Sequence, residues 1–255
     1  MGISSVKRDY LYRIAKEGKR PDGRAFDEYR PIKIERGVIN MAEGSAKVSI
    51  GNTTVLAGIK MDIGEPYPDT PEQGAMSTAV ELIPLASPDF ESGPPRADAI
   101  ELSRVVDRGI RESKFIQLDK LCIEPGEKVW IVFIDIHVLD YDGNLFDACS
   151  LAASAALLDA NVPNERFDMG KDVPMPLSDP PVSCTFVKYN GAIVVDPSLD
   201  EDEAAEARHT IAVDKKGDIR AMQKGLSGSF TVEEIKNNIN NARIISKDIR
   251  KILEG

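Results

Sequence analysis

The chain has 255 residues, of which 42% are hydrophobic and 29% charged, a composition typical of a soluble globular protein with a sizeable core. Acidic residues outnumber basic ones by 42 to 32. This excludes binding of nucleic acid or anionic membrane through bulk positive charge, so any polyanion site must be a local basic patch.

The cysteines and the apolar runs indicate where the protein resides. Cys122, Cys149 and Cys184 are far apart and form no CxxC motif, so neither a disulfide framework nor a cysteine zinc site is expected. The longest apolar run, residues 129–134, is far too short to span a bilayer. We therefore expect a cytoplasmic protein with no membrane partner.

Hydrophobic periodicity predicts strands followed by helices in the first part of the chain. In chain order the predicted elements are a helix over residues 4–18, strands over 31–35, 45–50, 54–60 and 79–83, a helix over 98–114, a strand over 129–138 and a helix over 147–160. The pair Gly51-Asn52 is expected to turn one strand into the next. The nearly continuous apolar run 129–138 indicates a strand buried on both faces.

The second part of the chain repeats this order after a segment rich in proline. Strands are predicted over residues 183–188 and 192–195 around the hairpin signal Asn190-Gly191, and over 210–213 and 219–223. A final helix begins at a capping box formed by Thr231 and Glu234. Strands followed by a helix in each half indicate an α+β fold with helices against the sheets.

These boundaries divide the chain into successive parts of one compact unit. The expected parts are an N-terminal helix (1–18), a first half (19–165), a Pro-rich connection (166–182) and a C-terminal half (183–255).

Three arginines lie on one face of the predicted 98–114 helix. Arg104, Arg108 and Arg111 are spaced by four and three residues, and Arg96 just before the helix could extend the row. Glu101 shares this face and can pair with Arg104 or Arg108. The row is either an ordinary solvated helix face or a set of guanidinium groups that binds successive phosphates.

Carboxylates are concentrated directly after the predicted strand 192–195. Asp196 and Asp202 are the two that could hold Mg²⁺ or activate a nucleophile. The alternative is a turn at Asp196-Pro197-Ser198 followed by the acidic first turn of a helix. No cluster of His and Cys indicates a metal site, and no phosphate-binding loop of the GxxxxGK[ST] or GxGxxG type is present.

Several segments together resemble the RNase PH family of phosphorolytic 3′→5′ exoribonucleases. They are Arg20-Pro-Asp-Gly-Arg24, Ala42-Glu-Gly-Ser45 with Gly51-Asn-Thr-Thr-Val-Leu56, Glu101-Leu-Ser-Arg104 with Arg108 and Arg111, and a continuation through Asp142-Gly143 and Asp196 to Arg220. The likeness covers nearly the whole chain. It implies the RNase PH fold, two βαβ-type halves with helices packed against mixed sheets.

Within the family, the motifs are more similar to the non-catalytic ring subunits of the archaeal exosome than to the catalytic ones. Active members carry Asp-Gly-Gly-Thr/Ser-Arg where this chain has Asp142-Gly-Asn-Leu-Phe146. Leu145 and Phe146 thus replace the hydroxyl and the guanidinium that bind inorganic phosphate, and apolar side chains would desolvate that anion. Asp196 and Asp202 match the family's acid pair, whereas Arg208 stands where active members tend to carry Asp.

The resemblance implies a structural, RNA-contacting role without a cofactor or a metal. The expected partners are a catalytic RNase PH-type exosome subunit in a hexameric ring of three heterodimers, a trimeric cap of RNA-binding subunits, and single-stranded RNA. Arg104, Arg108, Arg111 and Arg96 would contact RNA phosphates, and Asp196 and Asp202 would be vestigial. Two alternatives remain open: a self-sufficient phosphate-dependent 3′→5′ exoribonuclease that binds phosphate through another arginine, and an architectural ring member without RNA contact.

Overall fold

The computed structural model describes residues 3–255, which form five α-helices and twelve β-strands. The helices are α1 (Ser5–Lys16), α2 (Ala97–Glu112), α3 (Leu145–Asp159), α4 (Leu199–Ala204) and α5 (Val232–Glu254). The strands are β1 (Ile32–Arg36), β2 (Gly44–Ile50), β3 (Thr53–Gly64), β4 (Ala75–Leu82), β5 (Cys122–Glu124), β6 (Lys128–Asp140), β7 (Asn161–Val162), β8 (Val173–Pro174), β9 (Val182–Tyr189), β10 (Ala192–Val195), β11 (Ala207–Val213) and β12 (Ile219–Gly225). The predicted N-terminal segment 1–18 begins with Met1 and Gly2, which lie outside the described residues. In the range 3–255, no helix is both long and apolar enough to cross a membrane.

The first half of the chain forms a mixed sheet in the order β1-β2-β3-β6-β4, with β5 paired to β6. β4 runs parallel to β6, and the other pairs are antiparallel. Ile50 pairs with Thr53, which confirms the predicted turn at Gly51-Asn52. Helix α3 packs on β2 and β3, and α2 packs on β4. α2 therefore lies along one edge of this sheet, where its outward face is open.

Strand β6 is buried on one face only, so the prediction of a strand buried on both faces was wrong. Val132, Ile134 and Ile136 are at most 1% exposed, whereas the alternating Phe133 is 37% exposed and Asp135 is also exposed. Successive side chains of a strand point to opposite faces, and here one face packs on helices while the other is open. The apolar residues at the open positions hid this alternation in the sequence.

The second half forms a four-stranded antiparallel sheet in the order β10-β9-β11-β12. Tyr189 pairs with Ala192 across the predicted Asn190-Gly191 turn, which has positive φ at both residues. The capping box of Thr231 and Glu234 is present at the start of α5, as predicted. α5 packs on β9.

Helix α3 joins the two halves, because it packs on β2 and β3 of one sheet and on β9 of the other. Its alanines let both sheets approach closely, and those with no exposed surface are Ala148, Ala152, Ala153, Ala155 and Ala156. The mixed sheets with packed helices agree with the predicted α+β architecture. The N-terminus of α3 consequently lies at the junction of the two halves, where the candidate site is found.

Candidate functional site

Asp196, which follows β10, is fully buried, and both of its carboxylate oxygens are occupied by donors. Oδ2 accepts hydrogen bonds from Arg24 Nη1 (2.9 Å) and from the backbone N and Nε of Arg30 (2.8 and 2.9 Å). Oδ1 accepts from Arg30 Nη2 (2.8 Å) and Asn144 Nδ2 (2.7 Å). Because two guanidinium groups bind it, this carboxylate links the segment after β10 to residues 24–30 and to the turn before α3, and it is not directed at a ligand.

A second buried ion pair lies beside Asp196. Arg20 donates to both oxygens of Glu201 from Nε (2.8 Å) and Nη2 (2.7 Å), and neither side chain is exposed. Tyr189 also donates its hydroxyl to Glu201 (3.2 Å). The motif Arg20-Pro-Asp-Gly-Arg24 thus fastens the start of the chain to the segment after β10, and its arginines have a structural role.

The turn before α3 packs tightly against the segment that follows Asp196. Gly143 has φ +86°, and a Cβ on it would lie 2.5 Å from the carbonyl oxygen of Pro197. Asn144 adopts a left-handed conformation, and α3 then begins with Leu145 and the largely buried Phe146. Because a non-glycine residue at position 143 would collide with backbone, this turn fixes where the N-terminus of α3 lies.

Asp147, in the first turn of α3, is a buried carboxylate held by four hydrogen bonds. The donors are Tyr29 Oη (2.7 Å), Asn144 Nδ2 (2.9 Å), and the backbone N (2.9 Å) and Oγ1 (2.8 Å) of Thr185. Burial raises the pKa of Asp147 to about 6, against the opposing effect of these donors. Asp147 therefore ties the start of α3 to β9, and both of its oxygens already accept hydrogen bonds from the protein.

A cavity of about 240 Å³ lies beside the start of α3. Its lining includes four carboxylates and a single arginine, namely Asp98, Glu101, Asp202, Glu203 and Arg208. Arg208 lies 4.0 Å above the ring of Phe146 and donates from Nη2 to Oε1 of Glu101 (2.8 Å). Acidic groups thus predominate around this cavity, which opposes the binding of an anion.

Asp202 lines this cavity close to the hydroxyl of Tyr141, which donates to it over 3.4 Å. Burial raises the pKa of the Asp202 carboxyl, and the charge of Arg208 opposes that rise. Asp196 is enclosed by arginines instead. Within the described range 3–255, no group of three or more His, Cys, Asp or Glu side chains could hold a metal ion.

The four arginines predicted to contact RNA differ in whether they are paired. Arg111 donates to Asp107 from Nε (3.0 Å) and Nη2 (3.1 Å), and Arg96 is paired with Glu91. Arg104 and Arg108 are exposed on α2, and neither has a hydrogen bond or an ion pair to any described residue. The free positive charge on this helix therefore comes from Arg104 and Arg108.

Glu101 pairs with Arg208 of β11 rather than with Arg104 or Arg108, so the pairing that the helical spacing allows is not formed. The partner lies 107 positions away in the sequence, where the spacing of α2 gives no signal of it.

The arginine face of α2 borders an open groove of about 870 Å³. The groove is lined by α2 from Ala97 to Glu112, by residues 76–78 of β4 and by Gln223 of β12. Arg104 and Arg108 both line it. The lining also includes Glu112 and the carboxylates of Glu101 and Asp107, which are paired with Arg208 and Arg111. An extended, negatively charged chain along α2 would therefore meet two unpaired guanidinium groups beside carboxylates that are mostly compensated.

Comparison with known proteins identifies close relatives over the full length. Residues 28–163 match the family profile "3' exoribonuclease family, domain 1", and residues 179–245 match domain 2 of the same family. The chain is 55% identical over 253 residues to the exosome complex component Rrp42 of Methanocella arvoryzae, covering 99% of this chain and 97% of that protein.

Two solved structures are also similar. A chain in the Archaeoglobus fulgidus exosome with RNA bound to the active site superposes with a TM-score of 0.94 at 48% identity, covering 96% of this chain and 97% of that one. A chain of an archaeal exosome core superposes with a TM-score of 0.92 at 44% identity, covering 98% and 97%.

Proposed function

This chain belongs to the 3′ exoribonuclease (RNase PH) family, and on that premise we propose that it is a non-catalytic ring subunit of an RNA-degrading exosome. It structures the active site of a catalytic RNase PH-type partner and contacts the phosphates of single-stranded RNA during 3′→5′ degradation. Relatives over the full length are named exosome components, and the superposed structures are exosome cores.

The observation that carries the proposal is the composition of the cavity beside α3. Phosphorolysis requires inorganic phosphate to be held where it can attack, by amide N–H groups, a hydroxyl and a guanidinium. Leu145 and Phe146 supply neither a hydroxyl nor a guanidinium, and the one arginine in the lining, Arg208, is engaged by Glu101. The surrounding carboxylates repel the anion further. We infer that the chain has no phosphorolytic activity of its own.

In this proposal Asp196 and Asp202, which match the acid pair of the family, have a structural role and not a catalytic one. Asp196 has both oxygens taken up by Arg24, Arg30 and Asn144, so it offers no free oxygen to Mg²⁺. On this ground we propose that Asp196 does not act as a metal ligand. Asp202 accepts a hydrogen bond from Tyr141 (3.4 Å) and lies within the electrostatic influence of Arg208.

RNA contact is assigned to the unpaired arginines of α2. Arg104 and Arg108 line the open groove and would bind backbone phosphates without reading bases. Arg111 and Arg96, already paired with Asp107 and Glu91, would contribute less. The arginine face distinguishes this role from that of an architectural subunit without RNA contact.

The proposed assembly is a cytoplasmic hexameric ring of three heterodimers with a catalytic paralogue, capped by three RNA-binding subunits. Co-expression of this chain with a catalytic RNase PH-type subunit from the same source, followed by native mass spectrometry, tests it. We expect one species that contains equal numbers of the two chains, three of each. Each chain expressed alone is the control, and a ring built from this chain alone, unchanged by the paralogue, would contradict the proposal.

A further inference from the structure

We propose that Arg208 is a positioning residue for RNA binding: it engages Glu101 and thereby leaves Arg104 and Arg108 free for phosphates. The inference rests on the proposed RNA contact, and it assigns a purpose to a residue that lies outside the arginine face. It is carried by one ion pair between β11 and α2, in which Arg208 Nη2 lies 2.8 Å from Glu101 Oε1.

Without Arg208, Glu101 would have another nearby arginine with which to form an ion pair, Arg104. Glu101 and Arg104 are three residues apart on α2, a spacing at which opposite charges on a helix attract each other. Arg108 lies one further turn along the same face. In an isolated helix of this sequence, Glu101 would therefore neutralise the first arginine of the row and reduce its attraction for a phosphate.

The structure favours Arg208 as the partner because contacts other than the ion pair also hold its guanidinium in place. It stacks 4.0 Å above the ring of Phe146, and its side chain is only 12% exposed. It also passes directly over Gly225, where an added Cβ would lie 2.6 Å from Arg208 Nη2. A fixed and partly desolvated guanidinium loses less entropy and is less screened by salt than the exposed Arg104.

The same contact compensates the charge of Glu101 beside the groove. Glu101 lines the groove with Arg104 and Arg108, so its free carboxylate would repel an RNA phosphate bound there. Phe146 replaces the phosphate-binding arginine of active family members and at the same time supports Arg208.

A double-mutant cycle on the assembled complex tests this role. Arg208→Gln should weaken binding of a labelled oligoadenylate roughly threefold to fivefold at low salt, since Glu101 then pairs with Arg104 and repels phosphate. Adding Glu101→Gln should restore the affinity. Glu101→Gln alone should change affinity less than twofold, because Arg208 already neutralises that carboxylate. Arg208→Lys, which keeps the charge, should retain most of the binding.

Replacing Arg104 and Arg108 by Glu tests the proposed RNA contact itself, whereas the variants of Arg208 and Glu101 test this inference, so the two can fail separately. Arg243→Gln, on α5, removes one positive charge elsewhere and controls for net charge. The inference is overturned if the effects of Arg208→Gln and Glu101→Gln add independently, or if Arg243→Gln weakens binding as much as Arg208→Gln does. If the complex with Arg208→Gln fails to assemble, the affinity of the Glu101→Gln complex decides, and a change of less than twofold is the result expected. A large gain of affinity on Glu101→Gln alone would show that Arg208 does not neutralise it.

Discussion

Replacing Arg104 and Arg108 together by Glu is expected to weaken binding of single-stranded RNA by the assembled complex about 25-fold or more at 0.1 M salt. Each phosphate contact to a single strand contributes about 0.7 to the slope of log affinity against log salt, so two lost contacts remove about 1.4 from that slope. Both side chains are exposed and unpaired among the described residues, so neither needs to break an ion pair before it binds RNA. Fluorescence anisotropy across a salt series measures affinity and slope together.

The matched control for this variant lies on α5. Lys236 and Lys247 are exposed, and their joint replacement by Glu makes the same change in net charge away from the groove. We expect that variant to bind with nearly unchanged affinity. Arg111→Gln should have a smaller effect than Arg104→Gln, because Asp107 already neutralises Arg111. An unchanged affinity and slope in the Arg104/Arg108 variant would remove the RNA role and favour an architectural subunit.

Arg30→Met is expected to destabilise the chain by about 3 kcal/mol, because it leaves the buried carboxylate of Asp196 without its principal partner. Arg30 is only 8% exposed and makes three of the five hydrogen bonds to that carboxylate, one of them through its backbone N. The hydrogen bonds to Asp196 from the backbone N of residue 30, from Arg24 and from Asn144 remain. The expected loss of stability therefore lies at the lower end of the roughly 3–5 kcal/mol that breaking a buried ion pair costs. Urea unfolding followed by circular dichroism gives the free energy of unfolding.

Lys33→Met is the control for Arg30→Met, since the Lys33 ion pair on β1 is exposed to solvent and should contribute little to the free energy of unfolding. In an Asp196→Asn background the cost of Arg30→Met should fall, because the uncompensated charge is absent. Equal free energies of unfolding for Arg30→Met and Lys33→Met would show that Asp196 does not depend on its guanidinium partners.

Local signals in the sequence predicted much of the fold. The turns at Gly51-Asn52 and Asn190-Gly191, and the capping box at Thr231, depend on residues close together in the chain, and each forms as expected. The arginine spacing on α2 likewise placed Arg104 and Arg108 on one face. Contacts of this kind can be predicted because the same few residues determine both the pattern and the geometry.

Contacts between distant segments could not be predicted in this way. Arg20 and Glu201 are 181 positions apart, and Glu101 and Arg208 are 107 apart, so no periodicity links them. The prediction that β6 is buried on both faces failed for a related reason. Phe133 is apolar, yet it lies on a face that no helix of the described chain covers. The family resemblance pointed to Asp196 and Asp202 as an acid pair, but only the structure gives the arginines that occupy Asp196.

The central claim is that the chain cannot bind inorganic phosphate for attack, and a turnover assay on the purified chain alone tests it most directly. The chain is incubated with single-stranded RNA, inorganic phosphate and Mg²⁺, and released nucleoside diphosphates are measured by chromatography. We expect no release above that of a protein-free sample, because Leu145 and Phe146 supply no donor and acidic side chains predominate around the cavity beside them. Nucleoside diphosphates that appear only with phosphate and disappear in Asp202→Asn would contradict the claim.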